Sequence, residues 1–418
     1  MTELNIPATK QRGLDQQDER VRQHVGARGA ITSFLTRVRS GDLGPLPVIV
    51  GLIVVWTAFQ ILNPVFLSAD NLVNLALECV SVGVIALGVV CVLLVGQIDL
   101  SVGSVSGLTA AILAVLFVNH HWPVLLAILV AIAIACAIGA LYAVLFNRFG
   151  MPSFVATLAG LLAFLGLQLY ILGTVGSINI PFTSALVGFA QLDFVPPLLS
   201  YILAALGAAA VFLSGYTLAA RRRRAALSAS SIQAILARTI AVLVALEFVT
   251  WYLNRGRGVG WMFVFFAVLV GVLNYALTRT QWGRSMFAVG GNVEAARRAG
   301  INVRAIYASA FILCSGLAAV GGILGAARLA SANQSSGTGD VNLDAIAAAV
   351  IGGTSLFGGR GNAFSALLGI IVIQSISSGL TLLNLSSSFR FMITGLVLAL
   401  AVAVDSLARK SRASHGQA

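Results

Sequence analysis

Charge is what this sequence has least of. Only 10% of its 418 residues are Asp, Glu, Lys or Arg, against roughly 25% in a soluble domain, so a water-facing surface of ordinary polarity cannot be built from it. Acids are scarcer than bases, 14 against 26, and the only lysines are Lys10 and Lys410. A P-loop needs lysine directly after glycine to reach phosphate. Lys10 follows Thr9 and Lys410 follows Arg409, so the chain does not hydrolyse ATP by the Walker mechanism, and any pumping draws on an ion gradient or a separate ATPase. Cys79, Cys91, Cys136 and Cys314 stand singly in apolar runs without a C-x-x-C pair, which excludes a disulfide framework or a zinc site. His120 and His121 are adjacent, so their side chains point apart rather than converging on a metal. His24 and His415 lie in the polar ends. No catalytic constellation and no cofactor site emerges.

Apolar residues, by contrast, make up 58% of the chain, and its mean hydropathy is +0.96. They come in runs long enough for a helix, rising about 1.5 Å per residue, to cross a hydrocarbon core of about 30 Å. Strands of a transmembrane barrel would instead alternate apolar and polar over about ten residues. The fold class expected is therefore all-α, a polytopic transmembrane helical bundle. Twelve runs are legible: 45–63, 73–95, 102–118, 123–146, 153–173, 195–219, 237–254, 259–278, 304–327, 342–356, 361–383 and 389–406. Residues 1–44 form a polar N-terminal tail and 407–418 a basic C-terminal one. The first run starts too far in, and is too long, for a secretory signal.

The net charge of +12 could point to nucleic acid, but no recognition module is present, and the bases sit at the chain ends and in a few loops. With twelve crossings and both ends cytoplasmic, only Arg255, Arg257, Arg328 and Arg390 fall outside, as the positive-inside bias requires. Dropping one run would put Arg279, Arg284, Arg297, Arg298 and Arg304 outside together with the basic tail. The loop from Gly173 to Phe194 has no Lys or Arg and reads as external.

Two segments interrupt the runs: Gly96-Gln97-Ile98-Asp99-Leu100-Ser101-Val102-Gly103 and Gly352-Gly353-Thr354-Ser355-Leu356-Phe357-Gly358-Gly359. Each has Gly first and eighth and Leu fifth, one in each half of the chain, as in an internal repeat. Broken helices at matching places point to a transport pathway, because unwound backbone at depth is tolerated only where it lines a cavity or is buried in protein. Ordinary Gly-rich turns between spans are the other reading. Asp99, between Ile98 and Leu100, could bind a coupling ion or cap the helix starting near Ser101. Glu78 and Glu247 are weaker candidates. Ser101, Ser104, Asn333, Gln334, Ser335, Ser336, Gln374, Ser375 and Ser378 offer neutral groups suited to a polyol, although such groups also serve helix packing.

The loop at 281–304 carries a helix signature: Asn292 as N-cap, Glu294 in the first turn, Arg297 and Arg298 in the last, and Gly300 to end it. Two turns are marginal alone, so its natural use is docking.

Five strings, taken in order, resemble the permease subunits of bacterial monosaccharide ABC importers of the ribose and xylose group. They are Gly96 to Ser104; Gly283-Arg284 with Ala288 to Asn292; Glu294-Ala295-Ala296-Arg297 with Gly300 to Val303; Leu343 to Ala348; and Gly352 to Leu356. The resemblance implies a homodimeric permease in the plasma membrane, a two-cassette ATPase subunit and an extracytoplasmic sugar-binding protein. Gly291, Asn292, Glu294, Ala295, Ala296, Arg297 and Gly300 would form the coupling helix that meets the ATPase. Gly96, Gln97, Asp99, Ser101, Gly103, Ser104, Asn333, Gln334, Gly352, Gly353, Thr354 and Ser355 would belong to the pathway and its broken helices. The longer, xylose-type form is matched by an inserted helix pair at 195–257. Gln97 departs from the family, which usually has Gly or Glu there. An ion-coupled secondary sugar transporter using Asp99 is the alternative.

Overall fold

The computed structural model describes residues 46–386 together with 388, 389, 391–393, 395, 396, 399 and 403. The two tails, and most of the run at 389–406, lie outside the described residues. The helices are α1 (Leu46–Leu62), α2 (Ala69–Leu94), α3 (Val102–Ala114), α4 (Val124–Phe149), α5 (Ser153–Leu172), α6 (Pro197–Arg224), α7 (Ile232–Leu253), α8 (Trp261–Arg279), α9 (Gln281–Gly291), α10 (Val293–Arg298), α11 (Val303–Leu329), α12 (Val341–Ile351) and α13 (Ala363–Leu382). A π-helical turn, Val115–Asn119, extends α3. Among the described residues nine helices are long and apolar enough to cross a membrane, and the protein is a polytopic helical membrane protein. Strands β1 (Ser177–Asn179) and β2 (Ser331–Asn333) pair antiparallel, Ser177 opposite Asn333.

The described residues fall into two compact units, 196–258 and the remainder. In the smaller, α6 and α7 pack on each other: Asn254 Nδ2 donates to Ser200 Oγ at 3.0 Å, and Leu246 meets Gly207. Glu247, a weaker candidate in the sequence, has no ion pair among the described residues. In the larger unit the chain leaves and returns at one point. Val195 N donates to Val259 O at 2.8 Å, and Phe194 pairs with Gly260.

The core of the larger unit is organised around α11, and glycine is the reason. Lipid offers no hydrophobic drive between helices, so association depends on close backbone packing. Gly88 of α2 lies against the Cys314 backbone, Gly321 of α11 against Ser81 of α2, Gly322 against Ser106 of α3, and Gly139 of α4 against Phe311. At each, a Cβ would displace a neighbour. Ser81 Oγ adds a bond to Gly321 O at 2.8 Å.

The run at 342–356 differs from the sequence expectation. It forms only α12, whose 11 residues span about 16 Å, half the apolar thickness. Its lower end stops at Gly352-Gly353, with Gly353 at φ +103°. Its upper end is entered through Asn333–Asp340, which bends at Gly337 and Gly339, both left-handed, and packs against the start of α3. A long helix, a non-helical stretch and a short buried helix thus occur twice, as α2–α3 and α11–α12.

Candidate functional site

The first break occupies residues 95–101. Its backbone is partly withdrawn from the surface, and the partners of several of its amides can be traced. Gly96 N and Gln97 N close the end of α2 on Leu93 O and Val92 O. Ile98 N donates to Ser153 Oγ at 3.4 Å, and Leu100 N to Thr157 Oγ1 at 3.1 Å, both on α5. Asp99 is 2% exposed; its Oδ1 accepts from Ser101 N at 2.8 Å and from Ser101 Oγ at 2.7 Å, while Oδ2 has no hydrogen-bond partner. The carboxylate therefore ties the residue at the helix start through a local turn rather than reaching the first-turn amides. Asn342 of α12 takes that task, its Oδ1 accepting from Gly103 N. The two half-helices are thereby joined cap to side chain.

Asp99→Asn keeps the Oδ1 acceptor, so we expect assembled transporter with ATP-dependent uptake that persists with modest loss. Abolished uptake in a correctly assembled variant would instead assign Asp99 a charge-dependent role.

Of the twelve residues expected at the pathway, Asp99, Ser101, Gly103, Ser104, Gly352, Thr354 and Ser355 are buried within this single chain, Gly96, Gln97 and Asn333 are half-buried, and Gln334 and Gly353 are exposed. Asn333 and Ser336 supply carbonyls to Gln168 Nε2, at 3.0 and 2.9 Å. The hydroxyls and amide farther along the chain bridge helices: Trp56 Nε1 donates to Ser375 Oγ at 2.8 Å, Ser378 Oγ to Asn71 Oδ1 at 3.2 Å, and Gln374 Nε2 to Glu78 O at 3.0 Å. Glu78 itself lies 3.7 Å from Arg328.

Three glycine strings that are remote in sequence meet at the lower end of α2. Gly359 N donates to Leu94 O at 2.9 Å. A Cβ on Gly358 would lie 2.8 Å from Gly290 O and 2.9 Å from Gly96 N, and one on Gly359 3.0 Å from Gly291 Cα. Gly96, Gly358 and Gly359 are also left-handed, at φ +73°, +86° and +71°, where a side chain is strained. The two breaks and the end of α9 are thus in backbone contact, with no side chain between them to absorb a displacement.

From that junction the chain passes directly into α10. Asn292 Oδ1 accepts from Ala295 N at 2.9 Å, Glu294 pairs with Arg297 and Arg298 at 3.1 and 3.3 Å, and Gly300, at φ +80°, ends the helix with Ile301 N donating to Ala296 O. Ala296 is its buried anchor, whereas Glu294, Ala295 and Arg297 are exposed. Gly291 belongs to α9. The outer face of α10 is exposed, and its N-terminal end adjoins the glycine junction.

Asn342, Gln168 and the meeting of the glycines were not foreseen. Gln168, a lone amide in the run at 153–173, carried a usable signal, since a polar group at that depth needs a partner. Asn342 carried none.

A family model described as branched-chain amino acid transport system / permease component matches residues 71–402. The chain is 34% identical over 347 residues to the xylose transport system permease protein XylH of Escherichia coli K12, covering 82% of this chain and 87% of that one. It is 30% identical to the XylH protein of Haemophilus influenzae, covering 90% and 99%, and 31% identical to the ribose import permease protein RbsC of Escherichia coli K12, covering 85% and 92%. No solved structure matches. With most of its length under that model, and aligned relatives that are transport subunits, the chain belongs to this family of membrane permease components.

Proposed function

We propose that this chain is the membrane-spanning subunit of an ATP-driven importer for a monosaccharide, a pentose such as xylose, in the plasma (inner) membrane of a bacterium. It forms the translocation pathway as a homodimer, is driven by a two-cassette ATPase subunit, and receives sugar from an extracytoplasmic binding protein. The observation that carries this is the near full-length similarity to xylose and ribose permeases. The glycine junction supports the coupling role of Gly291–Gly300, because a push on α10 reaches both breaks through backbone. The closed junction of Val195 with Val259 supports residues 195–257 as an inserted helix pair, the xylose-type feature.

Reconstitution with the ATPase and binding protein should give ATP-dependent xylose uptake that protonophores leave intact at constant ATP. Uptake by this chain alone in energised vesicles would overturn the proposal in favour of ion coupling through Asp99. Two variants address the coupling helix. Gly300→Val places a β-branched residue at φ +80°, at a cost of about 1–2 kcal/mol, and Glu294→Lys removes both ion pairs and opposes the helix dipole. Both should lower transport-coupled ATP hydrolysis while insertion continues; unchanged coupling in both would remove the helix from the mechanism. Cytoplasmic termini and an external loop from Gly173 to Phe194 predict that a cysteine at Ser411 resists an impermeant thiol reagent on intact cells, while one at Asn179 is labelled.

A further inference from the structure

A groove of about 500 Å³ opens between α4 and α11. It originates in the packing of the two helices. Gly139 holds their backbones together, since a Cβ there would lie 2.5 Å from Phe311 O and 2.7 Å from Ile312 Cα. Toward the Arg148 end the facing side chains are too short to fill the space: Ala140 and Ala143 on one wall, Ala308 on the other, with Val144 on the rim. Leu141 and Val144 are 50% and 48% exposed, so this stretch of α4 faces sideways into the bilayer. At the mouth stand Arg148 and Arg304, both exposed and neither paired with an acid among the described residues. Asn147 Nδ2 donates to Arg304 O at 3.1 Å, bridging the two helices there. A second hollow, of about 700 Å³, continues past Arg304 to Arg297 of α10.

An apolar slot at membrane depth that ends in two unpaired guanidinium groups matches one ligand chemistry on both counts. An acyl chain suits the slot, and a phosphodiester suits the arginines, which fork onto phosphate oxygens. A soluble anion would use the mouth and leave the slot idle, while a packed helix would leave two charges facing apolar surface. We propose that this groove binds an anionic phospholipid, its phosphodiester between Arg148 and Arg304 and one acyl chain along Ala140, Ala143 and Ala308. The site lies beside α10, so its occupant borders the segment assigned to ATPase coupling; lipid binding itself does not depend on that assignment.

The test is the melting temperature of the purified full-length chain in detergent, titrated with phosphatidylglycerol, with phosphatidylcholine of the same acyl chains, and with inorganic phosphate. Phosphatidylglycerol should stabilise and the other two should not. Each arginine near an anionic lipid surface is worth about fivefold in affinity, so Arg148→Gln or Arg304→Gln should weaken the response about fivefold and the double variant roughly twenty-five-fold. Ala140→Leu fills the slot with the charges intact and should also weaken it, which keeps the proposal testable if the double variant does not fold. Equal stabilisation by phosphatidylcholine, a shift reproduced by phosphate alone, or a response unchanged in both Ala140→Leu and the arginine variants would overturn the proposal. So would a stabilisation that tracks protein concentration rather than lipid, which would make a second copy of the chain the occupant.

Discussion

Replacing Gly290 by alanine is expected to cut coupled uptake roughly tenfold or more, while the same change at Gly291, at the open edge of the coupling segment, is expected to cost far less. The two residues are adjacent on α9, yet a Cβ at Gly290 would collide with Leu94 O and lie 2.6 Å from Gly359 N, whereas one at Gly291 meets nothing within 4 Å. Every neighbour at Gly290 is backbone, so none can rotate away. The methyl must push α9 off the end of α2 or break the Gly359 N to Leu94 O bond. The first course costs about 1–3 kcal/mol as overpacking, and the second about 1–3 kcal/mol for an amide left without a partner. A loss of roughly tenfold or greater in uptake per assembled transporter follows. At Gly291, the last residue of α9, alanine meets no neighbour and should leave the melting temperature nearly unchanged. The measurement is ATP-dependent uptake normalised to membrane-inserted protein. Similar losses at both positions would mean that the junction is not what transmits movement from α10.

Asn342→Leu should be among the most destabilising single changes in the larger unit. Leucine is close in size, so the packing is largely kept, but the Gly103 amide loses its acceptor in a place where all of α3 is buried. A buried donor without a partner costs about 1–3 kcal/mol. Asn342→Asp retains an acceptor oxygen and should recover most of the loss at the helix N-terminus, where negative charge is favoured. Thermal unfolding in detergent and uptake should fall together for leucine and recover together for aspartate. If leucine melts like the wild type, the bond between half-helices contributes little and their register is set by packing alone.

Both predictions rest on contacts between segments far apart in the chain, and here the sequence was least informative. It showed the runs, because burial in lipid demands apolar residues of a set length, and most of the helix limits within a few residues. Asn292, Glu294 and Gly300 were also legible, because a cap acts on amides two or three positions away. Asp99 was visible as a charge among apolar neighbours, yet only the tertiary structure shows that its Oδ1 holds Ser101 and that Asn342 caps α3.

What the sequence by itself determined is a helical membrane protein with two glycine-broken segments and a short capped helix, since these follow from hydropathy, charge and spacing within a local window. The tertiary structure alone decided that Gly96, Gly290 and Gly358 meet, that α12 is a half-length helix, and that the hydroxyls of Ser375 and Ser378 hold helices together. A glycine in sequence records only the absence of a side chain. Which backbone comes to occupy that space depends on how α2, α9, α11 and α12 cross, and those crossings arise from long-range packing that no local pattern encodes.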